Sequence, residues 1–351
     1  MSVVGGQSVQ ADMLIQALSS AGVKVELLAF PPEASGALLR TAQRIPFVRT
    51  VANTCVVLWR LVFRARRFDL IHVFTASGTA LLLTPLPAML IAKLFALPIV
   101  LNCHDGRAED MLADKPWARR VFGLADALAA PSGYLTGVFE KNGLTARTVH
   151  NAIDPSVFRF RERRKTRPRF LHNRGFEQLY NVPCTLRAFA LVQEKYPEAS
   201  LALPHDGPLR GELERLVDDL GLRNVEFLGA VSPERMAELY DEADIYWMSP
   251  NVDNMPLSAL ECFASGLPVI STRAGGVPYI VVDGRTGLLV DVDDHEAMAR
   301  AAFRLLEEDG LAEQLAQNGR RELARYEPEA VAQEWIALYE SQIRMPIRHR
   351  M

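Results

Sequence analysis

The chain has few cysteines. Of its 351 residues four are cysteine, Cys55, Cys103, Cys184 and Cys262, and no two form a Cys-x-x-Cys pair. That excludes a disulfide scaffold and a zinc knuckle, and leads us to expect core thiols in a reducing cytoplasm. An excess of one charge is also lacking. Lys and Arg number 39 against 42 Asp and Glu, a net charge of −3. A protein whose main partner is nucleic acid is far more basic, so no nucleic-acid partner is expected. The opening MSVVGGQSVQ has no basic stretch leading into an apolar run, so no signal peptide is expected. An uninterrupted membrane-length run is missing too. Leu81–Leu101 is apolar and about long enough to span. Pro85, Pro87, Pro98 and Lys93 interrupt it, so we read a buried helix running into a buried strand.

What remains is a globular composition, 49% hydrophobic and 23% charged. At about 100–200 residues per domain the length suggests two or three domains. Short apolar runs alternate with amphipathic stretches. Strands are expected at Val25–Phe30, Leu70–Phe74, Pro98–Asn102, Ala127–Ala130 and Thr148–His150. Further strands are expected at Phe170–His172, Ser200–Leu203, Val225–Leu228, Asp244–Trp247, Pro268–Ser271 and Gly287–Val290. Helices are expected between them, among them Ala11–Ala21, Ser132–Asn142, Leu209–Leu220 and Asp294–Leu306. Ser232-Pro233-Glu234 is a helix start: a capping hydroxyl, a proline in the first turn and an acid. Continuous apolar strands alternating with helices imply α/β domains with doubly wound parallel sheets.

The segment 159–169, RFRERRKTRPR, has seven basic residues and one acid in eleven. It is read as a solvated linker. The expected domains are then residues 1–158 and 170–327, with a C-terminal helix within 328–351 that can pack back toward the first. Open α/β sheets bind ligands beyond the carboxyl ends of their strands, so two such sheets facing across a cleft would hold one substrate each.

The segment 249–280, SPNVDNMPLSALECFASGLPVISTRAGGVPYI, carries the chemistry. It follows a strand. Asp253 is expected in a loop, a helix near Leu257, and Glu261 one turn into it. The first amides of that helix, Leu257 and Ser258, lack partners and sit at its positive end, a setting that binds phosphate.

These residues resemble the signature of the retaining glycosyltransferases of family 4, group 1, which have the GT-B fold. The signature is two acids separated by seven residues and then Gly-x-Pro-Val. Here it reads Asp253-x7-Glu261 and Gly266-Leu267-Pro268-Val269. Other pieces fall in the family's order: Gly5-Gly6, Asp69-x-Ile71-His72, HNAIDPSVF at 150–158, Arg174, Gly207-Pro208, Phe227–Gly229, Ala243-Asp244-Ile245 and Gly275-Gly276-Val277-Pro278. The resemblance implies a metal-independent retaining enzyme without a cofactor. It would move a sugar from a nucleotide diphosphate sugar to a glycan, lipid-linked or small-molecule acceptor. It implies donor binding by Arg174, Asn254, Met255, Leu257, Ser258 and Glu261, with Glu261 on the ribose and Arg174 on the diphosphate. Asp253 would contact the transferred sugar and His104 the sugar or acceptor, and Gly5 and Gly6 would form the acceptor-side or phosphate loop. His72 is read as structural.

The departures are specific. The first acid is Asp rather than Glu. Pro256 replaces a glycine, Leu179 a lysine, and Tyr279 a common glutamate. Only Ser2-Val3-Val4 precede Gly5, where the family has a full strand; this leaves a stunted strand or a late start. These departures keep two other readings open, a binding-only partner of a glycosyltransferase complex and a sugar-nucleotide epimerase. Asp291-x-Asp293-Asp294 is read as a helix cap rather than a metal site, and no metal is expected.

Between Ala34 and Phe68 stand seven arginines, Arg40, Arg44, Arg49, Arg60, Arg64, Arg66 and Arg67, and no acid. Apolar residues interleave with them. Such a segment can lie on an anionic membrane, with about 1 kcal/mol from each cation near the surface. The alternative is a helix packed on the first sheet with a solvated basic face. The expected location is therefore the cytoplasm, with a peripheral contact at the inner face of the membrane through Arg60, Arg64, Arg66 and Arg67.

Overall fold

The structure is a computed structural model and describes residues 6–28, 46–75, 78, 80–104 and 108–343. The chain divides into two compact units, residues 1–150 with 328–351, and residues 151–327.

The first unit holds a four-stranded parallel sheet in the order β1 (Ile71–Thr75), β2 (Ile99–Cys103), β3 (Ala127–Ala130), β4 (Ala146–Thr148). Its interior strands β2 and β3 are buried along most of their length, with Asn102 the one polar residue in them. Ile99, Leu101, Cys103, Leu128 and Ala130 pack with Met89, Met111, Leu112, Phe122 and Phe139 of the unit's helices. The Leu81–Leu101 run is divided among helix Ala80–Leu83, helix Pro85–Leu94 and β2. Among the described residues no helix is long and apolar enough to cross a membrane.

The helix Pro328–Ile343 belongs to this unit and packs on helix Gly6–Ser20. His72 of β1 fixes it: its ring lies 4.5 Å from that of Trp335, and its Nδ1 is 2.7 Å from the Tyr339 hydroxyl. Burial, aided by His104, pulls His72 down to about 3. Glu334 of the same helix accepts from the His150 backbone N–H at 3.2 Å.

Two expectations for the first unit are corrected. The described part of the expected strand Val25–Phe30, residues 25–28, is not strand. Gly6 is the first residue of helix Gly6–Ser20, and Gly5 lies outside the described residues. Cys55 is exposed while the other three cysteines are buried.

The second unit is a six-stranded parallel sheet. It comprises β5 (Arg169–Leu171), β6 (Ser200–Leu203), β7 (Val225–Phe227), β8 (Ile245–Met248), β9 (Val269–Thr272) and β10 (Leu288–Val290). Their order is β10-β9-β8-β5-β6-β7. The direction of winding reverses between β5 and β8, which places a topological switch point beyond the carboxyl ends of those two strands. Along β8 the side chains alternate: Ile245 and Trp247 enter one core, Tyr246 and Met248 the other. Ser232 caps helix Pro233–Glu242 through the Arg235 amide, and Asp294 caps helix His295–Glu307 through the Ala297 amide.

The solvated-linker reading is wrong. Residues 151–169 belong to the second unit, and Arg163 is only 1% exposed. Its guanidinium donates to the carbonyls of Tyr240 (2.6 Å), Ser265 (2.7 Å) and Ala243 (2.9 Å). These carbonyls lie at the C-terminal ends of helices Pro233–Glu242 and Leu257–Ser265, which lack intrahelical donors and favour a cation. Arg161, Arg167 and Arg169 bond the buried Asp244 at 2.8, 3.2 and 2.9 Å. Burial alone would raise the Asp244 carboxyl, but bonds from Arg169 and Arg161 hold it below the ordinary carboxylate range. Burial and Arg161 pull the Arg163 guanidinium down to about 10, so it stays charged at neutral pH. Arg161, Arg163, Arg167 and Arg169 are thus held by helix ends and one carboxylate, while Arg159 and Arg164 stay exposed; the local composition of the run could not show which.

Candidate active site at the switch point of the second sheet

β5 ends at Leu171 and its chain runs on through His172 and Asn173 to Arg174; β8 ends at Met248 and leads to Asp253. The two loops leave neighbouring strands, which pair Leu171 with Tyr246. The Arg174 Nη2 donates to Asp253 Oδ2 at 2.5 Å. The guanidinium lies over the Tyr180 ring, 4.3 Å from its centroid. Its Nε is buried and makes no hydrogen bond within the structure.

Both partners are nearly enclosed. Burial pushes the Asp253 carboxyl up, against Arg174 and the amides of Met255 and Asn254, which pull it down. Burial works against the Arg174 charge, but Asp253 together with Tyr180, Tyr246 and Tyr240 more than offsets it, and the guanidinium is held more basic than usual. The two shifts disagree about the net benefit of the pair. At 2.5 Å, with two amides on the carboxylate, an ionised pair is the consistent reading.

Helix Leu257–Ser265 begins after Pro256, and no side chain caps it. The third helical amide, Ala259, bonds the Pro256 carbonyl. The amides of Leu257 and Ser258 head this helix in the same loop as Asp253. Ser258 is buried, and its hydroxyl lies against that of Tyr246. Met255 is buried in the core rather than facing the loop's open side. Its side chain anchors the loop.

Gly275 and Gly276 form the floor of the loop. The Gly276 amide donates to the Asp253 carbonyl at 2.7 Å. A Cβ at Gly276 would overlap the Asn254 carbonyl, and one at Gly275 would overlap that of Asp253. Gly275 also has a φ of +50°, the left-handed region.

Glu261, one turn into the helix, accepts from the Tyr240 hydroxyl at 2.5 Å. Tyr240 in turn accepts from Asn173 Nδ2 at 2.7 Å, and Asn173 Oδ1 accepts from the Tyr246 hydroxyl at 2.5 Å. Every proton in this chain points toward Glu261, the arrangement that favours its ionised form. Burial raises the Glu261 carboxyl, while Tyr240 and Arg174 act to lower it. Burial lifts both tyrosines well above their ordinary range, so they remain hydroxyl donors.

Sequence reasoning missed Asn173, Tyr240 and Tyr246. One signal was available: a tyrosine inside the apolar strand IYWM has a hydroxyl that must find a buried partner.

Of the expected site residues, Arg174, Asp253, Asn254, Leu257, Ser258 and Glu261 come together here. His104 is in the first unit, just after β2. Its ring lies 5.7 Å from that of Phe74, and burial pulls it down to about 4. Gly6, Arg60, Arg64, Arg66 and Arg67 are also in the first unit. Asp293 and Asp294 are engaged locally, Asp293 with Asn181 at 3.0 Å and Asp294 as the cap.

The fold defines a class. HepE from Anabaena, crystallised with UDP, matches with a TM-score of 0.76 at 17% identity over 97% of this chain and 98% of that one. Sucrose-phosphate synthase from Thermosynechococcus elongatus matches with a TM-score of 0.74 at 19% identity, covering 96% and 93%. The likeness at these identities is one of fold: two parallel-sheet α/β domains of the GT-B class.

The sequence defines the family. The sequence model of glycosyl transferases group 1 matches residues 156–322, and that of glycosyltransferase family 4 matches residues 4–157. Between them they take in both units, and the chain belongs to the group 1, family 4 glycosyltransferases. The D-inositol 3-phosphate glycosyltransferase of Corynebacterium urealyticum is 37% identical over 169 residues, 46% of this chain and 40% of that protein. The sulfoquinovosyl transferase SQD2 of Arabidopsis thaliana is 27% identical over 308 residues, covering 80% and 59%. The chain spans about half the length of these relatives.

Proposed function

We propose that this chain is a retaining glycosyltransferase that takes a sugar from a nucleotide diphosphate sugar without a catalytic metal. The observation that carries the reading is the meeting of Arg174, Asp253 and the Glu261 helix at the switch point of the second sheet. In this reading Arg174 and the amides of Leu257 and Ser258 hold the diphosphate and stabilise the leaving group electrostatically. Glu261, kept ionised by the tyrosine chain, accepts from the ribose hydroxyls. Asp253 contacts the transferred sugar, and His104 serves the sugar or acceptor side from the first unit. The acceptor is a glycan, a lipid-linked molecule or a small molecule, and the work is done in the cytoplasm, in peripheral contact with the membrane.

A second reading has an observation of its own. Arg174 is already paired with Asp253, and Leu179 stands where the family has a lysine, which suits a binding-only partner of a transferase complex. Calorimetric titration with UDP, GDP and ADP separates the two readings. The HepE complex makes UDP the first probe. Selective binding of one nucleotide supports the donor site. No binding to any of them, by folded protein, favours the second reading.

A further inference from the structure

The helix Pro46–Arg64 is amphipathic in an unusual sense. Asn53, Val57, Leu61 and Ala65, at four-residue spacing, form its buried stripe and the residue after it. The opposite stripe, Val51, Cys55, Trp59, Val62 and Phe63, is exposed and apolar. Trp59 is 62% and Phe63 68% exposed, with their rings 4.8 Å apart.

The neighbouring helix Pro85–Leu94 continues the surface. Thr54 and Thr84 hydroxyls lie 3.4 Å apart, and Arg66 stands 5.9 Å over the Phe95 ring. Two contacts at matching separations mean that the helices run side by side in the same direction. The second helix exposes Leu90 and Leu94, the latter at 80%, and Leu83 is exposed just before it. Arg60, Arg64, Arg66, Arg67 and Lys93 flank these residues; Glu26, which pairs with Arg64, and Asp69 are the acids beside them.

We propose that this paired-helix surface docks on an anionic bilayer by inserting Trp59, Phe63 and Leu94, with the arginines at the headgroups. A soluble surface rarely leaves an aromatic and leucine ridge in water, and the cationic border selects anionic lipid over a second copy bearing the same charge. The apolar residues that interleave with the arginines in sequence are gathered here into one exposed ridge. Arginines alone would give a purely electrostatic attachment, yet Arg64 and Arg66 already have partners. The inserted ridge gives an attachment that salt weakens without abolishing. Only one consequence rests on the transferase reading: docking would bring the unit to a lipid-linked acceptor.

The test is co-sedimentation of the full chain with phosphatidylcholine vesicles, with and without phosphatidylglycerol, at low and physiological salt. The vesicle assay needs no turnover, so it succeeds or fails independently of the transferase reading. Binding to the anionic vesicles is expected at both salts. The exposed pair Trp59→Ala/Phe63→Ala should lower partitioning about tenfold or more without changing the melting temperature. Arg60→Gln/Arg67→Gln should weaken anionic binding by about tenfold at low salt and less at physiological salt. Brominated acyl chains should quench tryptophan emission in the native chain but much less in Trp59→Phe, which keeps its affinity. Three results overturn the proposal: no vesicle binding; binding indifferent to Trp59→Ala/Phe63→Ala; or concentration-dependent self-association abolished by that pair, which would show that a second copy covers the ridge.

Discussion

Replacing Asp253 by Asn should tighten nucleotide binding while it removes turnover. In the free chain the Arg174 guanidinium spends an N–H on Asp253 at 2.5 Å in an enclosed site. A diphosphate approaching Arg174 must share or displace that carboxylate and must also tolerate its negative charge. Hydrogen bonds involving charged groups contribute about 1.5–3 kcal/mol. Removing the competitor should therefore improve affinity by about 10- to 100-fold, since about 1.4 kcal/mol is tenfold. Asn keeps the side chain's shape and can still accept from the amides of Asn254 and Met255. The cost appears in the free protein, where Arg174 loses its counter-ion, a loss of up to about 3–5 kcal/mol for a fully buried pair and less for this one. Calorimetry with the nucleoside diphosphate that the native chain prefers, at two salt concentrations, reads the first effect; urea unfolding reads the second. If Asp253→Asn weakens the nucleoside diphosphate tenfold, Asp253 supports the diphosphate rather than competing with it for Arg174, and the competition argument fails.

Glu261→Ala should cost nucleotide affinity at least about tenfold by removing the ribose acceptor, an effect calorimetry shows directly. Tyr240→Phe removes the proton that keeps Glu261 ionised while burial still pushes its carboxyl up. Nucleotide affinity in that variant should therefore fall more steeply than in the native chain as the pH is lowered from neutral; parallel slopes would refute the role given to Tyr240. Arg163→Met strips three helix-end carbonyls and a counter-charge of Asp244, and should cost about 3–5 kcal/mol in urea unfolding of the second unit. His72 is held neutral, its value depressed from 6.5 to about 3. Its neutral form is fully compatible with the fold above the unfolded value, so stability is intact there. As pH falls from about 6.5 toward 4 the unfolded chain gains a proton that the folded one does not. Stability should then drop by about 1.4 kcal/mol per pH unit from this group. His72→Gln should flatten melting temperature against pH by that one proton.

The alternation of apolar strands and amphipathic helices was legible because buried parallel strands need continuous apolar runs. β2, β3 and β6 fall within a residue of their expected positions, and Ser232 and Asp294 cap the helices that their sequence signals announced. Arg174, Asp253 and Glu261 were legible only as an ordered motif; what brings Arg174 to Asp253 is the reversal of strand order between β5 and β8, which no local pattern encodes. The arginine segment misled for the same reason. Its partners, Asp244 and the carbonyls of Tyr240 and Ser265, are about 75–100 residues away in sequence, and charge density alone suggests solvent. The tyrosine chain behind Glu261 was equally hidden, since Asn173, Tyr240 and Tyr246 are unremarkable separately. Val25–Phe30 reads as a strand by its short apolar run, yet its described part, residues 25–28, is not strand.

The most direct measurement is the position of a nucleoside diphosphate in crystals of the complex. The diphosphate is expected at Arg174 and the amides of Leu257 and Ser258, with the ribose hydroxyls on Glu261. A nucleotide seated away from the switch point of the second sheet, or with its ribose turned from Glu261, would contradict the assignment of this site.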